Sequence, residues 1–404
     1  MEKEEEIEPT EPTEPTAQKE ENSEIIEPAE HKVENSEKIE SSIIKTEFNL
    51  TQKPKLLSCT DFGNVFSKGC KWSPDGLCVL LCTEDQNLRI FDLPPDLSKN
   101  PKNDLEAAVK VKEGENVYDF QWYPPMNSND PDTCCFATTS RCQPIHLYDA
   151  FDGHIRATYR CFDHLDEMVA ARSLNFDPTG HKLIAGLKNQ IRIFDVNVPG
   201  RDCESFTTFT KEDGGLSGII SSIAFNPVMP EVFALASYSK DMAVYLDPRA
   251  QLLCVLEGQK GGITHIKFSP DGTKLLAGAR KDDEISVWDM RNPGTLYSTL
   301  NRTVQTNQRI YFDVSSDGKY VISGSTNGTV QAWDLESGKE IGKFDMHQDC
   351  VNGLDIHPYL PYLATSSGQR HMDKCMEMSD DEDDDQKTVE NTMKLWELMP
   401  INGD

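Results

Sequence analysis

One phrase recurs seven times along this chain. It is cleanest as Phe268-Ser-Pro-Asp-Gly-Thr-Lys-Leu-Leu-Ala-Gly278, followed by Ile285-Ser-Val-Trp-Asp289. A short apolar strand ends at a Pro-Asp-Gly turn, a second apolar strand ends on a small residue, and a third, alternating strand closes on a large apolar residue followed by an acid. The closing pair stands at Phe91-Asp92, Tyr148-Asp149, Phe194-Asp195, Leu246-Asp247, Trp288-Asp289, Trp333-Asp334 and Trp396-Glu397. One such unit cannot bury its own apolar face. A chain built from them must stack them around a common centre.

A repeat of this length and content predicts an all-β, seven-bladed β-propeller of WD-repeat type, with about 40–45 residues per blade. Seven blades account for residues 55–404. The last blade reaches its third strand (Met393 to Leu398) only six residues before the sequence given ends, and lacks a fourth. The segment Lys55-Leu-Leu-Ser-Cys-Thr-Asp-Phe62 has strand composition and precedes blade one. It is predicted to supply the missing outer strand and close the ring, which removes exposed sheet edges.

Residues 1–54 repeat Glu-Pro-Thr and then mix Glu, Ser and Lys with isolated Ile. Such a stretch buries too little apolar surface to offset its ordering entropy, and it reads as a disordered acidic tail. A second acidic run, about 371–390, interrupts blade seven and reads as a disordered insertion. The net charge of −28 is concentrated in these two segments: residues 1–47 hold sixteen acids and five lysines, residues 373–390 nine acids and two lysines. Bulk charge therefore argues against non-specific binding to nucleic acid or membrane, but leaves room for a local basic patch. Ser379, just before Asp380-Asp381-Glu382-Asp383-Asp384-Asp385, is a candidate for an acid-directed kinase, with a plain solvated loop as the alternative.

The twelve cysteines are scattered without a paired CxxC framework. Most fall in apolar strand patterns, where Cys acts as a small hydrophobe, and a reducing cytoplasmic or nuclear compartment follows. The tightest group is Cys134, Cys135, Cys142 and His146, which reads as strand core rather than a metal site. No apolar run approaches a membrane span. His347 stands where the repeat calls for a hydrogen-bonded core histidine. The turn acids Asp75, Asp177 and Asp271 are turn formers, and the Gly pairs lack the Lys-Ser/Thr of a phosphate-binding loop. No catalytic residues, no metal and no cofactor are expected, and the chain reads as a binding platform.

The loops that enter the first strand and those that join the second to the third open on one, narrower face. They carry Arg141 in blade two, Arg172 and Lys188 in blade three, Lys240 in blade four, Arg280 and Lys281 in blade five, Arg309 in blade six and Arg370 in blade seven. Tyr238, His265, Tyr311 and His371 stand nearby. Cations that follow a phosphate backbone, interleaved with rings that stack bases, suit single-stranded RNA. Two alternatives stay open. Each cation can pair with a neighbouring acid, as Arg280 with Asp282 or Asp283, or the same face can take an acidic peptide.

Six strings go beyond the generic repeat: Gly200-Arg-Asp-Cys-Glu204, Ser217-Gly-Ile-Ile-Ser-Ser-Ile-Ala-Phe-Asn-Pro227, Gly261-Gly-Ile-Thr-His265, Gly278-Ala-Arg-Lys-Asp282, Thr306-Asn-Gln-Arg-Ile-Tyr-Phe-Asp313 and Ala364-Thr-Ser-Ser-Gly-Gln-Arg370. Together, over roughly residues 60–370, the chain resembles the telomerase Cajal body protein family. The resemblance implies a non-catalytic RNA scaffold of the nucleus and Cajal body, with a cytoplasmic pool. It would recognise the CAB-box loop of small Cajal-body and telomerase RNAs and support telomere maintenance. The partners it implies are the dyskerin-containing H/ACA core, a coilin-type protein and the cytosolic chaperonin, with the chain a monomer inside a larger complex. Arg280, Lys281, Arg309, Tyr311, Arg370, His265, Arg172 and Lys240 are the expected RNA contacts. The alternative is a protein-interaction propeller, an assembly scaffold or substrate adaptor, without direct RNA contact.

Overall fold

The Pro-Asp-Gly phrase works through its backbone. In Ser73-Pro74-Asp75-Gly76, the Gly76 amide donates to the Ser73 carbonyl at 2.9 Å, and Asp75 accepts from the Ser73 hydroxyl and the Leu77 amide. Gly76 adopts φ +75°, a conformation that strains any residue with a Cβ. The same turn folds at Gly180, Gly272 and Gly318. Blade four has no glycine here. Asn226 replaces the turn by accepting from the Val228 and Met229 amides through its side-chain oxygen.

These turns join strands into seven four-stranded antiparallel sheets in a computed structural model that describes residues 48–212, 214–247, 251–370 and 389–400. The result is a seven-bladed β-propeller. Blade one is Ser67–Trp72, Cys78–Thr83, Asn87–Asp92 and Val109–Lys112. The inner strands of the other six are Val117–Trp122, Ser173–Phe176, Ile220–Phe225, Ile263–Phe268, Phe312–Val314 and Val351–Ile356. Apolar residues from facing blades form the core between them, as where Phe120 and Trp122 of blade two pack on Leu80 and Ile90 of blade one.

Blade seven takes its outer strand from Lys55–Asp61, which pairs with Thr392–Glu397 from Lys55↔Glu397 to Asp61↔Thr392. Leu57 is buried at this seam. The packed domain also starts earlier than expected. Phe48–Asn49 pairs with Met399–Pro400, and Phe48 and Leu50 are buried beside Phe344 and Leu398. Residues 48–54, expected in the tail, are therefore among the described residues. The acidic stretch at 371–388, including His371 and Ser379, lies outside them.

His347 has the predicted core role. Its Nε2 lies 2.7 Å from Thr365 Oγ1, which also accepts from Trp396 Nε1 at 2.8 Å, and its Nδ1 faces Glu390. His146 is held in the same manner by the buried Glu113 carboxylate. Cys134 and Cys135 are buried in blade two, whereas Cys142 is exposed. Among the described residues, no helix is long and apolar enough to cross a membrane.

Candidate nucleic-acid interface

Five inner strands carry a β-bulge near their start: at Ser67/Gly69, Val117/Asp119, Ile220/Ser222, Ile263/His265 and Val351/Gly353. A bulge re-aims side chains locally, and here Asp119 and His265 line the channel. Below the bulges, polar side chains bond one blade to the next. Lys71 Nζ donates to Phe120 O (2.9 Å), Gln121 Nε2 to Leu174 O (3.3 Å) and Asn175 Nδ2 to Ile223 O (3.0 Å).

Arg309 crosses this channel. Its guanidinium donates to Asp119 Oδ1 of blade two at 2.8 Å, to Tyr311 Oη at 3.0 Å and to the Ser221 carbonyl of blade four at 2.9 Å. The side chains of Arg309 and Asp119 are only 15% and 3% exposed. Burial opposes the charge on Arg309, but Asp119 together with Tyr311 and Tyr238 outweighs it, and the net effect raises its pKa. Tyr311 is 4% exposed, and burial pushes its hydroxyl up to about 12. His265 packs on Tyr311 (4.9 Å between centroids) and Phe312 (4.7 Å), with Nε2 at 3.2 Å from Phe312 O. Burial, then Arg309, Lys71 and Lys267, lower its pKa well below the usual value, so it is neutral. Arg309, Tyr311 and His265 were expected to touch RNA. In the structure their hydrogen bonds and ring contacts lie inside the channel, where the three side chains form a partition, and Arg309 and Tyr311 also line the cavity on its narrow-face side.

Above the partition, on the narrow face, a cavity of about 350 Å³ opens between Lys68, Tyr118, Tyr238, Gln308 and Arg370. The Arg280 guanidinium lies 3.6 Å from the centroid of Tyr238, and that of Arg172 lies 4.2 Å from Tyr118. Neither arginine forms an ion pair among the described residues, and Arg280 Nε is buried without a hydrogen-bond partner. The pairing of Arg280 with Asp282 or Asp283 is not formed. Asp283 accepts from the Val304 amide and Asp282 from the Glu284 amide. A guanidinium held flat on a ring keeps its edge donors free for phosphate or a base edge.

Lys240 and Lys281 are exposed at the tips of their loops, with φ +82° and +46°. Arg141 and Lys188 are exposed as well. Arg370 is 66% exposed but pairs with Glu84, which also meets Lys68 at 3.1 Å. Tyr118 and Lys68 were not anticipated. Tyr118 sits in an ordinary alternating strand, and only the fold brings Arg172 of the next blade over it.

The repeat itself matches the WD domain, G-beta repeat family at residues 250–289, 300–334 and 338–376. The chain is 44% identical to telomerase Cajal body protein 1 of Mesocricetus auratus over 339 residues, 80% of this chain and 63% of that protein. It is 43% identical to the Homo sapiens protein of that name over 349 residues, 83% of this chain and 63% of the relative. It is also 33% identical to guanine nucleotide-binding protein negative regulator 1 of Schizosaccharomyces pombe, over 72% of this chain and 77% of that one.

The chain belongs to the telomerase Cajal body protein family. It spans about six tenths of the length of its mammalian relatives. The strings that carry the resemblance hold residues of both layers: Arg280, over the cavity-lining Tyr238, with Lys281 next to it, and Arg309 and Tyr311 in the partition.

Proposed function

We propose that this propeller is a non-catalytic RNA-binding scaffold that recognises the CAB-box loop of small Cajal-body and telomerase RNAs on its narrow face. It would direct their ribonucleoproteins to nuclear Cajal bodies and so support telomere maintenance. The observation that carries this reading is the pair of ring-stacked arginines, Arg172 on Tyr118 and Arg280 on Tyr238, flanking a cavity without a carboxylate partner of their own. Lys240, Lys281 and Arg370 extend the cationic surface for phosphate contacts. The relatives' name, telomerase Cajal body protein 1, supports the choice of RNA class. An H/ACA core, a coilin-type protein and a folding chaperonin are the accompanying partners proposed.

The test is crosslinking and sequencing of RNA bound to this protein in its own cells. Enrichment of H/ACA-type small RNAs sharing a loop motif is expected. Protein partners that persist after ribonuclease treatment, with no RNA enriched, would leave the protein-interaction platform as the function.

A further inference from the structure

A second cavity, of about 650 Å³, lies on the other side of the partition and opens on the wide face. It is independent of the RNA reading. Its mouth is a ring of prolines from six blades: Pro74, Pro124, Pro178, Pro227, Pro270 and Pro358. Ser316 takes the place of the seventh and is exposed. Trp72, Trp122, Phe176 and Phe268 form apolar wall behind the ring. Apolar side chains continue onto the face outside it, where Leu77, Val228, Met229, Tyr359 and Leu360 are all exposed.

The charges around this cavity have a pattern. The turns that build the ring carry Asp75, Asp177, Asp271 and Asp317, each next to or one residue from a mouth residue. Only Asp317 has an ion-pair partner among the described residues, Lys319 at 3.6 Å. The other three accept only from hydroxyls and backbone amides: Asp75 from Ser73, Asp177 from Thr179 and Lys182 N, Asp271 from Ser269 and Thr273. At the floor stand Lys71, Lys267 paired with Asp313, Arg309 paired with Asp119, and Asp355, whose carboxyl is raised well above the usual carboxylate range by burial and then by Asp313.

This pattern selects one kind of occupant. An acidic rim repels a polyanion such as RNA. A small anion has no use for the apolar wall. A second copy of the chain carries the same −28 net charge and does not complement the rim. A cation sent to the floor would meet Lys71, whereas an apolar side chain fills the proline ring and leaves flanking cations at the acids. We propose that the wide-face cavity docks an extended peptide segment of a partner protein. One apolar side chain of that segment sits inside the proline ring, and Lys or Arg on either side of it faces the turn acids.

The test uses the full chain and a random peptide display library, with labelled peptides from the selection measured by fluorescence anisotropy. Recovered peptides are expected to share an apolar residue flanked by Lys or Arg. Ser316→Arg, at an exposed position of the mouth, should weaken them at least ~10-fold by blocking the ring and opposing their charge. In the peptide, replacing Lys and Arg with Gln should weaken binding on the unaltered protein, which keeps the test free of folding effects. Arg172→Ala with Arg280→Ala should leave peptide binding unchanged. Failure to recover any peptide, recovery of acidic peptides, or insensitivity to Ser316→Arg would overturn the proposal. So would RNA competing for the same peptide.

Discussion

The two faces of the disc differ in how their charges are set, and the repeat's own grammar makes them so. The wide face receives the turn between the first and second strands and the end of the third strand. Both positions are written with acids: Asp75, Asp177, Asp271 and Asp317 in the turns, and Asp92 through Glu397 at the strand ends. Those acids are needed for folding, because their oxygens hold the turn amides. The narrow face has no such requirement. Its loops vary from blade to blade, and they hold Arg172, Lys240, Arg280, Lys281 and Arg370 beside acids such as Glu84, Asp241, Asp282 and Asp283. What the difference teaches is that the structural face has a charge fixed by turn chemistry, while the free face can be charged for a ligand. The partition of Arg309, Asp119 and Tyr311 keeps the two cavities apart.

The largest effect is expected at that partition. Asp119→Ala leaves Arg309 as a lone buried charge and should cost roughly 3–5 kcal/mol in urea unfolding. Arg309→Met with Asp119→Leu should recover much of the loss, and a cycle of the four proteins would measure the coupling.

Acid sharpens the comparison next, because the wide face contains a titrating seam. His357 accepts from the Tyr359 and Leu360 amides through Nδ1 and meets the Gly76 carbonyl through Nε2 at 2.9 Å. Burial lowers its pKa to about 4. The unfolded chain takes up this proton near pH 6.5 and the folded chain only near 4. Its contribution is therefore complete above about pH 6.5 and lost as pH falls toward 4, by roughly 3 kcal/mol at most. His357→Gln should make the fall in unfolding free energy between those values shallower, His265 and His347 supplying the rest, with the narrow-face variants keeping the slope.

Smaller effects concern the narrow face alone. Glu84→Gln releases Arg370 and Lys68 from their shared carboxylate and should tighten RNA binding about two- to fivefold, with little change in stability. Lys240→Ala or Lys281→Ala should change stability by less than about 0.5 kcal/mol and lower the salt slope of RNA binding by about one each.

Most of the fold was legible because its signals are local. Pro-Asp-Gly, the alternating third strand and the closing acid all fall within one blade, and the spare strand at Lys55–Asp61 follows from counting strands. The beginning of order at Phe48 was not legible, since its burial depends on Phe344 and Leu398, far away in sequence. The site was legible at one level only. Arg172, Arg280 and Tyr238 could be placed on a face by loop position. Which cations are free could not be read, because Arg309 meets Asp119 across 190 positions of chain and Arg370 meets Glu84 across 286. The nearest signal was Asp119 itself, the one acid in the inner strand Val117–Trp122.

The most direct measurement is the salt dependence of affinity for an H/ACA-type RNA hairpin carrying the loop motif, comparing the native chain with Arg172→Ala/Arg280→Ala. If the ring-stacked arginines hold phosphates, affinity falls and the log–log slope shrinks by about two, while the unfolding midpoint barely moves. Equal affinity and equal slope in the two proteins would contradict RNA recognition by the narrow face.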